Sequence, residues 1–135
     1  MFSTTEAFSS FSVDDIDAAR RFYGDTLGLG VEDGMMGNLT VRLGGGGQTF
    51  IYAKPDHKPA EFTVLNFLSD DVEKSVDELN ARGVTTKIYD DSELADMPPN
   101  DAKGIMRDEA GEPAIAWFRD PAGNVLAVVS SQVPG

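Results

Sequence analysis

The 135-residue sequence has no cysteine and a single histidine, His57. Without cysteine there are no disulfides, no thiolate nucleophile and no cysteine metal ligands. Basic residues are also scarce, with 11 Lys and Arg against 23 Asp and Glu and a formal net charge of -12. That balance disfavours the broad positive surface a phosphate-rich partner needs, so nucleic acid is not an expected partner. No apolar run approaches the roughly 18 residues of a membrane span, and no basic leader stands in Met1 to Val13. The chain therefore reads as soluble and cytoplasmic, with no membrane partner. Apolar material is well supplied: 41% of residues are hydrophobic, including Trp117, eight Phe and three Tyr. This is enough for one folded domain without metal or disulfide staples.

The order of elements repeats. Phe8 to Val13 reads as a strand, with Phe11 and Val13 on one face and Phe8, Ser10 and Ser12 on the other. Asp14 or Asp15 then caps a helix whose apolar stripe is Ile16, Ala19, Phe22 and Tyr23, ended by Gly28 and Gly30. Phe62 to Leu68 is a second strand, followed by Asp70-Asp71-Val72-Glu73, a stripe of Val72, Val76 and Leu79, and Gly83 as a left-handed C-cap. Val31 to Asp33 and Thr86 to Tyr89 supply the strands after the helices. Leu39 to Leu43 and Gln48 to Tyr52 form a hairpin around Gly44 to Gly47; Ala114 to Phe118 and Val125 to Val129 form another around Asp120 to Asn124. The two strand-to-helix junctions lie 56 residues apart and Gly47 lies 76 from Gly123. The second copy therefore holds an insertion of about 20 residues within Asp90 to Pro113, long enough for a connection. The fold class is α+β: tandem βαβββ modules, about 6–58 and 60–133, within a single domain 1–135.

Several motifs have ordinary explanations. Pro121 and Gly123 suit a tight reversal, which makes Asp120 a turn residue and not a catalytic carboxylate. Gly44 to Gly47 lacks the Gly-Lys-Ser or Gly-Lys-Thr of a phosphate loop. Asp14, Asp15 and Asp17 follow a helix cap and first turn, not a calcium loop. His57, within Lys54-Pro55-Asp56-His57-Lys58-Pro59, reads as an exposed loop histidine. Ser9, Ser10 and Ser12 lack a nucleophile elbow and any evident path to it.

The stretches Val13-Asp14-Asp15-Ile16-Asp17-Ala18-Ala19-Arg20-Arg21-Phe22-Tyr23, Leu27-Gly28-Leu29 and Trp117-Phe118-Arg119-Asp120-Pro121-Ala122-Gly123-Asn124-Val125-Leu126 resemble the vicinal oxygen chelate superfamily of glyoxalases, bleomycin-resistance proteins and extradiol dioxygenases. The resemblance implies one domain with a concave mixed β-sheet. Metal-using members place His or Glu at four concave strand positions, and those positions fall here on Phe8, Ile51, Thr63 and Ala127. None of these is an imidazole or carboxylate, so no metal and no other cofactor are expected. Strand alternation together with the family placement assigns a ligand lining of Phe8, Ser10, Ile51, Thr63, Leu65 and Ala127. Met106, Arg107 and Trp117 lie nearby, with Arg107 available to neutralise an acidic group.

The expected function is metal-independent binding or sequestration of an unidentified small organic molecule. The alternatives are a diverged lyase, isomerase or dioxygenase, with catalytic residues unknown, and a structural or regulatory dimer without a ligand. A homodimer is expected because members of the resembled superfamily frequently dimerise.

Overall fold

The computed structural model describes residues 2–89 and 100–131. Its contacts divide the chain into two compact units, Met1–Pro59 and Ala60–Gly135. Each unit is a βαβββ-like module with its own four-stranded mixed sheet.

In the first unit, strand β1 (Ser9–Val13) leads to helix α1 (Ile16–Arg20). The Asp15 carboxylate accepts from the N–H groups of Asp17 and Ala18, satisfying donors that a helix start leaves free. The helix continues as a π turn over Arg21–Thr26, closed by Leu27 N–H donating to the Phe22 carbonyl. Strands β2 (Gly30–Asp33), β3 (Leu39–Arg42) and β4 (Gln48–Ala53) follow. The sheet order is β1-β4-β3-β2, with β1 parallel to β4 and the other pairs antiparallel. Phe11, Val13, Leu39, Val41 and Ile51 of the sheet are buried, as are Ala19 and Tyr23 of the helical segment. The rings of Phe11 and Phe22 stand 6.0 and 5.1 Å from that of Tyr23. Enclosing a side chain such as Ile51 contributes about 1.5–3 kcal/mol, which is what fixes the helix to this face.

In the second unit, β5 (Thr63–Ser69) leads to α2 (Val72–Ala81), capped by Asp71 accepting from Lys74 N–H. Strands β6 (Met106–Arg107), β7 (Pro113–Arg119) and β8 (Val125–Ser130) complete a sheet ordered β5-β8-β7-β6, with β5 parallel to β8. Val72, Val76 and Leu79 bury the helix stripe, and Phe67 stacks on Phe118 at 6.4 Å.

One expected strand is absent. Thr86 to Tyr89 does not join the sheet, and the edge position is taken by β6. The reason lies in the side chains. Thr86 Oγ1 receives Asn80 Nδ2–H and donates to the Lys103 carbonyl, and Lys87 Nζ donates to Asn100. The segment is thus tied to α2 and to residues 100–103. Of the insertion expected at 90–113, residues 90–99 lie outside the described residues, and the rest contributes β6 and two turns.

Those turns follow a common plan. Asp101, Asp108 and Asp120 each accept a glycine N–H three residues on at the backbone carbonyl, and two further N–H groups, two and four residues on, at the carboxylate. The glycines, Gly104, Gly111 and Gly123, have φ of +81°, +82° and +87°, a region that excludes most side chains.

Candidate functional site

Alternation along the strands assigns each side chain of the first sheet to a face. Phe11, Ile51 and Leu39 are laddered neighbours on the helix face, while Ser10 neighbours Phe50, Phe50 neighbours Thr40, and Ser12 neighbours Tyr52 on the open face. Ile51 is fully buried against the helix and is not beside Ser10; the aromatic residues of β4 on the open face are Phe50 and Tyr52. Phe8 precedes β1, is 64% exposed, and sets its ring edge-on to Phe50 at 6.3 Å.

The same face carries a pair that sequence reasoning missed. Ser12 Oγ lies 2.6 Å from His57 Nδ1, so His57 is half-buried over the sheet and not an exposed loop residue. The turn that delivers it closes through His57 N–H donating to the Lys54 carbonyl. His57 Nε2 is buried and has no hydrogen-bond partner among the described residues. Leaving such an atom unmet costs about 1–3 kcal/mol. The two residues are 45 apart, and no local motif announces their meeting.

In the second unit the register shifts between Thr63 and Leu65: Thr63 is opposite Val125, but Leu65 is opposite Leu126. The shift is a β-bulge, which turns the strand over. Leu65 therefore lies on the helix face with Leu126 and Phe118, not beside Thr63 and Ala127 as alternation predicted. On the open face, fully buried Ala127 sits between Asn66 and Trp117, and Met106 is paired with Ile115 and buried. Tyr89 packs edge-on to Trp117 at 5.5 Å, with the Arg119 guanidinium 5.9 Å from the Tyr89 ring. Leu68 is 73% exposed.

Arg107 is already engaged. Its guanidinium pairs with Glu73 and Asp101, each at 3.3 Å, and donates to the Gly111 carbonyl. Glu73, followed by Asp101, holds Arg107 charged. Arg107 thus ties β6 to α2 and does not stand ready to neutralise a ligand acid. Burial works against ionisation of Asp101, yet the N–H groups of Ile105 and Lys103 together with Arg107 outweigh it and hold the carboxyl below its ordinary range.

The metal chemistry of the resembled superfamily requires converging imidazole and carboxylate donors. The strand residues of the two open faces include Ser10, Ser12, Phe50 and Tyr52 in one unit and Asn66, Ala127 and Trp117 in the other, which do not fit that requirement. Among the described residues no group of three or more His, Asp or Glu is arranged to hold an ion. Carboxylates do line a cavity of about 420 Å3, formed by Asp70, Asp71, Glu73, Asp108 and Glu112 with neighbouring residues. Most are committed inside the fold: Asp71 caps α2, Asp108 holds its turn, Asp70 accepts from Ser131, and Glu73 faces Arg107 and Lys103.

Solved structures share this arrangement. A member of the glyoxalase/bleomycin resistance protein/dioxygenase superfamily from Sphaerobacter thermophilus is 23% identical, covering 94% of this chain and 98% of its own, with a TM-score of 0.67. TnmS3, an antibiotic binding protein from Streptomyces sp. CB03234, is 26% identical over 96% and 98% of the two chains, with a TM-score of 0.60. A glyoxalase/bleomycin resistance protein from the same Streptomyces is 27% identical over 93% and 99%, with a TM-score of 0.58. No curated protein matches the sequence. The family profile matches residues 7–128, and with the two βαβββ-like units it shows that the chain belongs to the Glyoxalase/Bleomycin resistance protein/Dioxygenase superfamily.

Proposed function

We propose that the chain binds a small organic molecule on the open faces of its sheets, without a metal ion. The observation that carries this reading is the composition of the first open face, where Phe50 and Tyr52 stand beside the hydroxyls of Ser10 and Ser12. Aromatic walls with a few polar groups suit an organic ligand, and these residues offer no metal-ligand set. Similarity to an antibiotic binding protein supports sequestration as the use of such binding.

The test is calorimetric titration with neutral, anionic and cationic aromatic molecules, with and without EDTA. Saturable binding that EDTA leaves unchanged, and that Tyr52→Ala weakens about tenfold, is expected; tenfold corresponds to about 1.4 kcal/mol. Absence of binding by every class, or binding that EDTA abolishes and a divalent ion restores, would overturn the reading.

A further inference from the structure

We propose that His57 is the polar anchor of this site, its Nε2–H donating to an anionic oxygen, a carboxylate or phenolate, carried by an aromatic ligand. The inference rests on the preceding reading of the open face and adds the class of molecule it takes.

The geometry sets the chemistry. A neutral imidazole has one donor and one acceptor nitrogen. Ser12 Oγ lies 2.6 Å from Nδ1, and in the proposed tautomer Nδ1 accepts from that hydroxyl and the ring proton stands on Nε2. That atom is buried and unmet. Most buried polar side-chain atoms in folded proteins have a partner, and an unmet one calls for a ligand, an ion, a water or a mechanistic role to account for it. The histidine as a whole retains partial exposure, and Ser12, which it contacts, shares a face with Phe50 and Tyr52, so a ligand oxygen on that face would meet Nε2 once the ring turned toward it.

The surroundings select the charge. The segment bearing His57 also carries Lys54 and exposed Lys58, and its one carboxylate, Asp56, is held 2.6 Å from Lys54. With Lys54 and Asp56 paired, Lys58 leaves this segment with a surplus positive charge, which favours an anionic acceptor, and charge-assisted hydrogen bonds are the stronger ones. Phe50 and Tyr52, with Phe8 edge-on to Phe50, supply apolar surface for a ring attached to that oxygen.

His57 is the only histidine in the chain, so its imidazole nitrogens are identifiable in the isotope-labelled protein without a variant. The probes are benzoate and 4-hydroxybenzoate, with benzyl alcohol and benzylamine as neutral and cationic counterparts. The expected result is an Nε2–H tautomer in the free protein and a saturable shift of the Nε2 signal with the two anions. His57→Gln should weaken benzoate binding about tenfold, the scale of one lost charge-assisted hydrogen bond, and leave benzyl alcohol unchanged. Ser12→Ala should disturb the tautomer ratio and weaken benzoate binding by a smaller factor. Benzoate binding with unmoved His57 nitrogens, or a free protein in the Nδ1–H tautomer, would overturn the anchor. If only benzyl alcohol or benzylamine binds, the site stands and the anchor falls; if no probe binds, the reading of the site falls too. The wild-type titration decides the matter even if His57→Gln does not fold.

Discussion

Gly104 lies directly against the backbone of Thr86: a Cβ at position 104 would stand 1.9 Å from the Thr86 carbonyl oxygen. Gly104 also has φ +81°, so a side chain would be strained before it met its neighbour. The obstacle is backbone that α2 and Lys103 hold through the Thr86 hydroxyl, so it has little room to retreat. Gly104→Ala should lower stability by about 3 kcal/mol or more, combining a left-handed backbone penalty with a steric displacement. Gly83→Ala is the control. Gly83 has φ +83°, and among the described residues nothing lies within 4 Å of where its Cβ would stand, so it should cost only about 1–2 kcal/mol. Urea unfolding of both variants measures the difference, and equal losses would mean that the contact with Thr86 contributes nothing.

Asp120 is nearly fully buried and its carboxylate accepts from the N–H groups of Ala122 and Asn124 and from Asn124 Nδ2–H, at 3.0, 2.8 and 2.9 Å. Asp120→Ala leaves several donors without this acceptor and should cost about 3 kcal/mol. Asp108 makes the same two backbone contacts in an exposed turn, where water replaces the carboxylate. Asp108→Ala should therefore cost about 1 kcal/mol or less. Thermal unfolding of the two variants checks the order, which burial and the added Asn124 Nδ2–H bond at Asp120 set together.

Acid should loosen the junction between α2 and the 101–107 segment. The folded Asp101 carboxyl titrates below its ordinary value, so its contribution is present above the unfolded pKa of about 3.9 and is lost as pH falls through the lower folded value. Melting temperature should fall over that acidic interval, and Asp101→Asn should flatten this part of the profile while lowering stability at neutral pH. An unchanged profile in the variant would remove Asp101 as a contributor.

The features legible in the sequence were the local ones. Asp15 and Asp71 cap their helices through short-range contacts, and Gly83 and Gly123 have the positive φ their turns require. The faces of the sheets were less legible. In β4, Thr49 and Ile51 alternate with Phe50 and Tyr52, so both sets are apolar enough to be buried and the pattern does not choose between them. Thr86 to Tyr89 has strand-like composition, but the Thr86 hydroxyl found partners in Asn80 and Lys103 that no local rule anticipates. The Ser12–His57 pair is likewise a product of the tertiary fold. The repeated Asp-x-x-Gly spacing at Asp101, Asp108 and Asp120 was present in the sequence and would have marked three related turns.

The bulge in β5 provides the sharpest test of which face is which. Uninterrupted alternation from Thr63 puts Leu65 on the open face, whereas the ladder places it opposite Leu126 on the helix face and leaves Leu68 73% exposed opposite Val129. The two leucines are three residues apart in one strand, so backbone propensity and distance from the strand ends are similar. Burial differs. Leu65→Ala removes packing from the core against α2 and should cost about 2–4 kcal/mol. Leu68→Ala removes a side chain that already faces outward and should change stability by about 0.5 kcal/mol or less. Chemical unfolding of the two variants separates the arrangements: a larger loss at Leu68 than at Leu65 would show that β5 runs without the bulge and that its open face begins at Leu65.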